Sequence, residues 1–218
     1  MLKKTICLLC AISTTTLSIL SSGVFAEELK PIKLMAPQLD RGKLLMEALK
    51  DRKSERAFSE RELPLDLLSN LLWAASGVNR PGSDKMTAPT AMNFKEIDIY
   101  VAMKRGLYLY IPLQNTLEPV IAEDIRAAVG IQDFTQKVPV DLIYVSDLSK
   151  MSVNEKEKIF YSATDTGFIS QNVYLFCASE GLSTVVLGWV DKPALAKRMK
   201  LKNNQMIILA QPVGYPEL

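Results

Sequence analysis

The run from Asn154 to Glu180 constrains this chain more than any other stretch. Its pattern reads as one helix about 40 Å long at ~1.5 Å per residue. The first turns are charged on one side, but "FISQNVYLFCA" is apolar nearly all round, and a helix of that kind must be covered on every face. Ser162, Ala163, Thr166, Gly167 and Ser170 are small enough to let another helix approach closely. A chain of 218 residues is long enough for one domain with its own core. In so small a domain, a central helix apolar on all sides predicts a partner subunit as part of the cover.

The first residues stand apart from that core. Lys3 and Lys4 precede the apolar run "TICLLCAISTTTLSIL" and then "SSGVFA", with Val24 and Ala26 at the small-residue positions before a cut. This is the pattern of a Sec-type signal peptide over residues 1–26, cleaved after Ala26. Five Ser and Thr residues interrupt the run, which is also short for a bilayer span. The expectation is a periplasmic or secreted protein, residues 27–218, with no membrane anchor after cleavage. Cleavage removes two of the 26 bases and none of the 24 acids, leaving 24 of each. That balance argues against nucleic acid or an anionic membrane surface as partner. Cys7 and Cys10 leave with the signal, so Cys177, in an apolar run, has no intrachain disulfide partner and reads as a small core residue. There is no histidine, which excludes Ser-His-Asp and Cys-His catalysis and most zinc sites. Chemistry must then come from backbone groups, arginines or a borrowed cofactor.

Coarse periodicity orders the rest as one α+β domain. "DRGKLLMEALKDR" predicts a helix with Asp40 as N-cap, ending near Lys50. "LPLDLLSNLLWAASG" predicts a helix from Pro64 to Gly77 with Leu68, Leu71, Leu72 and Ala75 on one face. An irregular loop follows over 78–93, and then "EIDIYVAM" and "GLYLYIP" form a hairpin. "LEPVIAEDIRAAVG" reads as a helix stopped at Gly130, and "VPVDLIYVSD" as a buried strand. After the long helix come the strand "STVVLGW", the helix "DKPALAKRMK" and the strand "QMIILAQPVGYP".

Three stretches carry possible chemistry. "RKSERAF", residues 52–58, sets Arg52, Lys53 and Arg56 around Ser54. On this stretch alone an anion site and a set of cations complementing the end of the preceding helix stand level. "APTAMN" reads by itself as a polar turn between a helix and a hairpin, and "VVLGW" as a strand with a bulge.

Taken in order, "RKSERAF", "LPLDLLSNLLWAASGVNR", "APTAMNFKEIDIYV", "GLYLY", "DTGFISQNVYLFCASEGLSTVVLGWVD" and "PVGYP" resemble the flavin-dependent nitroreductase family across nearly the whole mature chain. The exported nitroreductase-like proteins are the nearer branch, and the azoline-oxidising dehydrogenases are more distant relatives. The resemblance implies a nitroreductase-like fold, a central antiparallel or mixed sheet flanked by helices in an intertwined homodimer, with FMN at the dimer interface. It implies that Arg52, Ser54 and Arg56, with Lys53 between them, hold the FMN phosphate. It places Pro89, Thr90, Ala91 and Asn93 along the isoalloxazine ring, with Thr90 where serine is usual and Lys95 where glutamine is frequent. Val186, Leu187 and Gly188 correspond to the strand whose backbone approaches flavin N5. Asp165 and Gln171 are expected to cap buried networks. No side chain is expected to be catalytic, and no metal is expected. The implied activity is ping-pong hydride transfer through FMN to an electron-poor small molecule such as a nitroaromatic or quinone. The donor is NADH, NADPH or a periplasmic redox carrier. The alternative is an exported flavin-binding or scavenging module without turnover.

Overall fold

A computed structural model describes residues 28–217. The expected signal peptide lies outside them. In chain order the elements are β1 (Ile32–Lys33), α1 (Leu45–Asp51), α2 (Leu65–Ser76), β2 (Val78–Arg80), β3 (Lys85–Met86), β4 (Ile97–Met103), β5 (Gly106–Ile111), β6 (Thr116–Ile121), β7 (Val140–Asp147), α3 (Glu155–Glu180), β8 (Ser183–Thr184), α4 (Lys192–Arg198) and β9 (Gln205–Gly214). Seven strands form one sheet in the order β1-β6-β5-β4-β7-β9-β8, antiparallel at every pairing, and β2 and β3 form a separate small hairpin.

Period-2 alternation divides the core into two layers, one on each face of this sheet. Ile99, Val101 and Met103 of β4 join Leu142 and Tyr144 of β7 beneath Leu68, Leu71 and Leu72 of α2 and Ile169, Val173 and Cys177 of α3. Tyr100 and Ala102, one step along, face the other way with Ile143 and Val145, covered by Ile125, Val129, Val138 and Leu195 of α4. Cys177 is the buried core residue expected of it.

The long helix forms where its caps demand. Asn154 accepts from the Glu157 N–H and Glu157 bonds back to the Asn154 N–H, closing a capping box. At the other end Gly181 takes the left-handed conformation, φ 71°, that stops a helix at little cost to glycine. Pro64 and Gly77 bound α2, as expected, and Asp191 caps α4 through the Ala194 N–H.

Four expectations need correction. Asp40 does not cap α1, which starts after Leu44, because Leu39 and Asp40 form a turn and Gly42, at φ 90°, bends the chain again before the helix. The helix predicted over 117–130 is instead β6 followed by short 3-10 turns. Asn115, at φ 50°, closes a turn that folds the chain back on β5, pairing Tyr110 with Leu117 and Tyr108 with Pro119. Pro119, which would break a helix interior, lies past the two residues that pair with β1, where β6 is an edge. The strand predicted over "STVVLGW" is only Ser183–Thr184, with one further bridge between Leu187 and Ala210. The loop after α2 contains the β2-β3 hairpin.

Candidate functional site

The 52–58 stretch leaves the C-terminus of α1 and is stitched to the end of the sheet. Glu55 N–H donates to the Thr184 carbonyl at 3.0 Å, and Phe58 bridges Pro216. Tyr174, on α3, ties this stretch to the segment after β8. Its hydroxyl lies 2.8 Å from Ser54 Oγ and accepts the Val186 N–H at 2.9 Å, while the Arg52 guanidinium sits 5.4 Å from the centre of its ring. Because Val186 donates to Tyr174, the tyrosine proton is available to Ser54, and the serine proton is available to a further acceptor. Lys53 does not share this arrangement. It pairs with Glu55 at 2.6 Å, and Glu55 also accepts from Ser183 Oγ at 2.9 Å. Lys53, and secondarily Ser183, hold the Glu55 carboxyl below its ordinary range despite partial burial. Arg52 is half-buried and Arg56 exposed, and among the described residues neither forms an ion pair.

The three backbone positions over 186–188 are not equivalent. Val186 N–H is given to Tyr174, and Leu187 N–H to the Ala210 carbonyl at 2.7 Å. Only Gly188 of the three has an N–H with no acceptor among the described residues. A Cβ at Gly188 would meet nothing closer than Leu209 Cδ2 at 3.9 Å, so the chain's own packing does not require glycine there. Its bare, exposed backbone suits close approach by a group from outside the chain. Trp189 beside it is 67% exposed.

The 89–95 loop is held by acids. Ala91 N–H donates to Asp165 Oδ2 at 2.7 Å, and the Thr90 hydroxyl, which accepts the Lys95 N–H at 3.0 Å, lies 3.2 Å from Glu96 Oε2. Met92, Asn93 and Lys95 are left-handed, with φ of 48°, 61° and 50°. Pro89 and Asn93 are exposed, and the Asn93 amide makes no hydrogen bond among the described residues. Glu96 and Asp165 are both buried; burial first, and then the neighbouring Asp165 charge, push the Glu96 carboxyl up to about 7. Asp165 is the buried cap expected of it. Gln171 is exposed and caps nothing.

The structure therefore brings Arg52, Ser54 and the 186–188 segment together, and leaves Pro89–Asn93 elsewhere. Asp165 and Tyr174 are nine residues apart on one helix, about 13.5 Å along the axis and half a revolution around it. Within one chain the loop and the arginine stretch lie on opposite sides of α3. Leu44 before α1, Leu45 and Met46 of α1, and Phe160 and Phe168 of α3 are large apolar residues left exposed, and a Cβ on Gly167 of α3 would meet nothing within 4 Å. A cleft of about 670 Å³ lined by Glu60, Lys104, Arg105, Arg126 and Lys137 contains none of the predicted site residues. Among the described residues no cluster of His, Cys, Asp or Glu could hold a metal, and no helix is long and apolar enough to cross a membrane.

Two residues at the site were not expected from the sequence. Tyr174 carried a signal, a hydroxyl within an otherwise apolar helical run, which when buried needs a partner. Glu96 carried none, since an acid at the start of a strand is ordinarily solvated.

Comparisons with known proteins agree with this architecture. The family model of the nitroreductase family matches residues 49–215. A nitroreductase-named protein of Methanocaldococcus jannaschii is 27% identical over 194 residues, covering 84% of this chain and 96% of that protein. The crystal structure of a nitroreductase-named protein from Ralstonia eutropha is 40% identical with a TM-score of 0.84, covering 89% of this chain and 92% of the other. A chain of the E. coli microcin synthetase McbBCD complex shares the fold, with a TM-score of 0.68 at 18% identity over 94% of this chain and 85% of that one. Antiparallel sheet, long central helix and matched segments together place this chain in the nitroreductase family of oxidoreductases.

Proposed function

We propose that this protein is an FMN-dependent oxidoreductase that works as a homodimer and passes electrons to an electron-poor small molecule such as a nitroaromatic or quinone. The observation that carries the reading is the arrangement at Tyr174: Arg52 beside its ring, with Arg56 four residues on in the same stretch and neither in an ion pair among the described residues, a serine whose proton can be directed outward, and a glycine N–H without an acceptor among them. This donor set fits a phosphate at one end and a ring nitrogen at the other. Arg52 and Arg56 supply forked donors matched to phosphate oxygens, and Ser54 adds a third. Gly188 N–H supplies one hydrogen bond to the ring edge. FMN, when bound, supplies the two-electron hydride chemistry for which this chain has no side chain.

The opposite placement of the 89–95 loop supports the homodimer. A second copy packed on the exposed apolar face of α1 and α3 would bring its own loop towards the first copy's arginine stretch, with Asn93 offering both donor and acceptor to the ring. The same packing covers the half of the helix, "FISQNVYLFCA", that the sequence marks as apolar nearly all round. Donor and acceptor would enter in turn, the ping-pong order. The signal-like N-terminus supports export, with NADH, NADPH or a periplasmic redox carrier as the source of electrons.

The test is an absorbance spectrum of purified residues 27–218, before and after addition of FMN and gel filtration. The expected result is a flavin spectrum retained on a dimer-sized peak, bleached by a donor and restored by a quinone or nitroaromatic. A colourless protein that refuses FMN would overturn the cofactor, and a yellow dimer that no donor bleaches would make it a flavin-binding module without turnover.

A further inference from the structure

We propose that Glu96 retains its proton beside the Asp165 carboxylate beneath the 89–95 loop, and that loss of this proton releases the loop from α3. The loop's own behaviour follows from the chain alone; only its consequence for cofactor retention rests on the flavin reading above.

The geometry hangs two consecutive loop residues on two different carboxylates. Thr90 Oγ1 accepts from Lys95 N–H, so its own proton is directed to Glu96 Oε2, while Ala91 N–H is directed to Asp165 Oδ2. Glu96 sits at the root of β4 and Asp165 on α3, and both are buried. No cation neutralises either of them among the described residues. From the loop, Lys95 reaches Asp84 at 3.5 Å; from the segment after β7, Lys150 reaches Asp98 at 2.7 Å and the Lys95 carbonyl at 3.3 Å. From β7, Asp147 gives its N–H to the Glu96 carbonyl at 2.8 Å while its carboxylate accepts from Ser149 and Asn204; Ser146 and Ser162 bond to each other across β7 and α3, and Ser76 of α2 faces the Met86 sulfur. Two adjacent buried carboxylates without a counter-ion cannot both ionise at ordinary cost, so one retains a proton. Glu96 is the natural holder, since its Oε1 is buried with no partner among the described residues.

The loop depends on these bonds. Met92, Asn93 and Lys95 hold left-handed conformations that L-residues adopt only where the surroundings fix them. Ionisation of Glu96 places a second charge beside Asp165, and opening the loop lets water reach both. The sign follows from the raised value. A carboxyl held up at about 7 in the folded state contributes its stabilisation fully below the ordinary carboxylate range, and loses it as the pH rises through about 7.

The decisive measurement is amide hydrogen exchange at Ala91 and Lys95 in flavin-free residues 27–218 at pH 6 and 8.5, each rate corrected for its intrinsic pH dependence. Protection should fall by about tenfold across this interval in the wild type. It should stay level in Glu96→Gln, whose amide oxygen can still accept from Thr90 but cannot ionise, and should keep a shallower slope in Asp165→Asn, which keeps an acceptor for Ala91 and removes the neighbouring charge but leaves Glu96 buried. A level wild-type profile, or an equal slope in a folded Glu96→Gln, overturns the proposal; the wild-type profile decides alone if neither variant folds. FMN titration at the same two pH values separates the two ideas. A protein that never binds FMN but shows the exchange profile loses the flavin reading and keeps this one. A protein that binds FMN with level protection does the reverse, and if both hold, wild-type affinity drops about tenfold relative to Glu96→Gln over the interval.

Discussion

The 52–58 stretch and the 89–95 loop are two parts of one expected binding site, held on opposite sides of α3 by opposite means. The first is an exposed ribbon whose backbone is stitched to the sheet and whose two arginines, unlike Lys53, have no acidic partner among the described residues. Tyr174 sets its serine through neutral hydrogen bonds, so its geometry should vary little with pH. The second is a left-handed loop suspended from two buried acids, one of which changes charge near neutrality. An anion grip works best when its charges are exposed to the ligand and its scaffold is insensitive to protons. A loop meant to lie along a ring needs shape more than charge, and here the shape depends on a proton.

Breaking the first region gives the largest expected effect. Replacing Arg52 and Arg56 together with alanine removes both forked donors, and FMN affinity should fall at least about 100-fold at pH 7, since charge-assisted hydrogen bonds are the strong ones. Thermal stability should hardly change, because neither guanidinium forms an ion pair among the described residues. Quenching of flavin fluorescence on titration measures the first, and a melting curve the second. Equal FMN affinity in wild type and double variant would remove the 52–56 stretch from the site.

A smaller cut sharpens the contrast. Tyr174→Phe leaves every charge in place but takes away the hydroxyl that orders Ser54 and satisfies Val186. One net hydrogen bond is worth about 1 kcal/mol, so FMN affinity should drop about three- to tenfold, with no change in its pH dependence. A steeper pH dependence in this variant would mean that the two regions are coupled through α3 rather than held independently.

Much of the scaffold was legible because its signals are local. The caps of α2, α3 and α4 and the alternation in β4, β5, β7 and β9 are written within a few residues of where they act. β6 was not, because Leu117, Val120 and Ile121 also suit a helix, and only the Asn115 turn and the pairing with β5 decide against it. At the site, Arg52, Ser54 and Gly188 stand out by residue type and by the family's spacing. The inequality among Val186, Leu187 and Gly188 does not, since it depends on bonds to Tyr174 and Ala210. The role of Asp165 at Ala91 spans 74 residues, and no periodicity can report such a bond.

A third buried acid tests whether the loop's proton dependence is special or merely what any buried carboxyl does. Asp141 of β7 is fully buried between Ala102 and Pro212, and neither of its oxygens has a partner. Burial raises its carboxyl well above the ordinary range, opposed by the Arg126 charge, whose guanidinium is itself engaged by Asp124. Like Glu96 it should contribute stability at low pH that is lost as the pH rises; unlike Glu96 it supports no loop. Asp141→Asn should therefore melt close to the wild type at pH 5 and above it at pH 8, by at least about 2–4 °C, the shift that 1 kcal/mol produces in a domain of this size. Exchange at Ala91 and Lys95 should keep its wild-type slope. If that slope disappeared with Asp141, the loop would be reporting global stability, and the distinction between the two sides of α3 would collapse. If only the melting temperature moves, the domain carries two separate responses to alkaline pH, one in its core and one at its site.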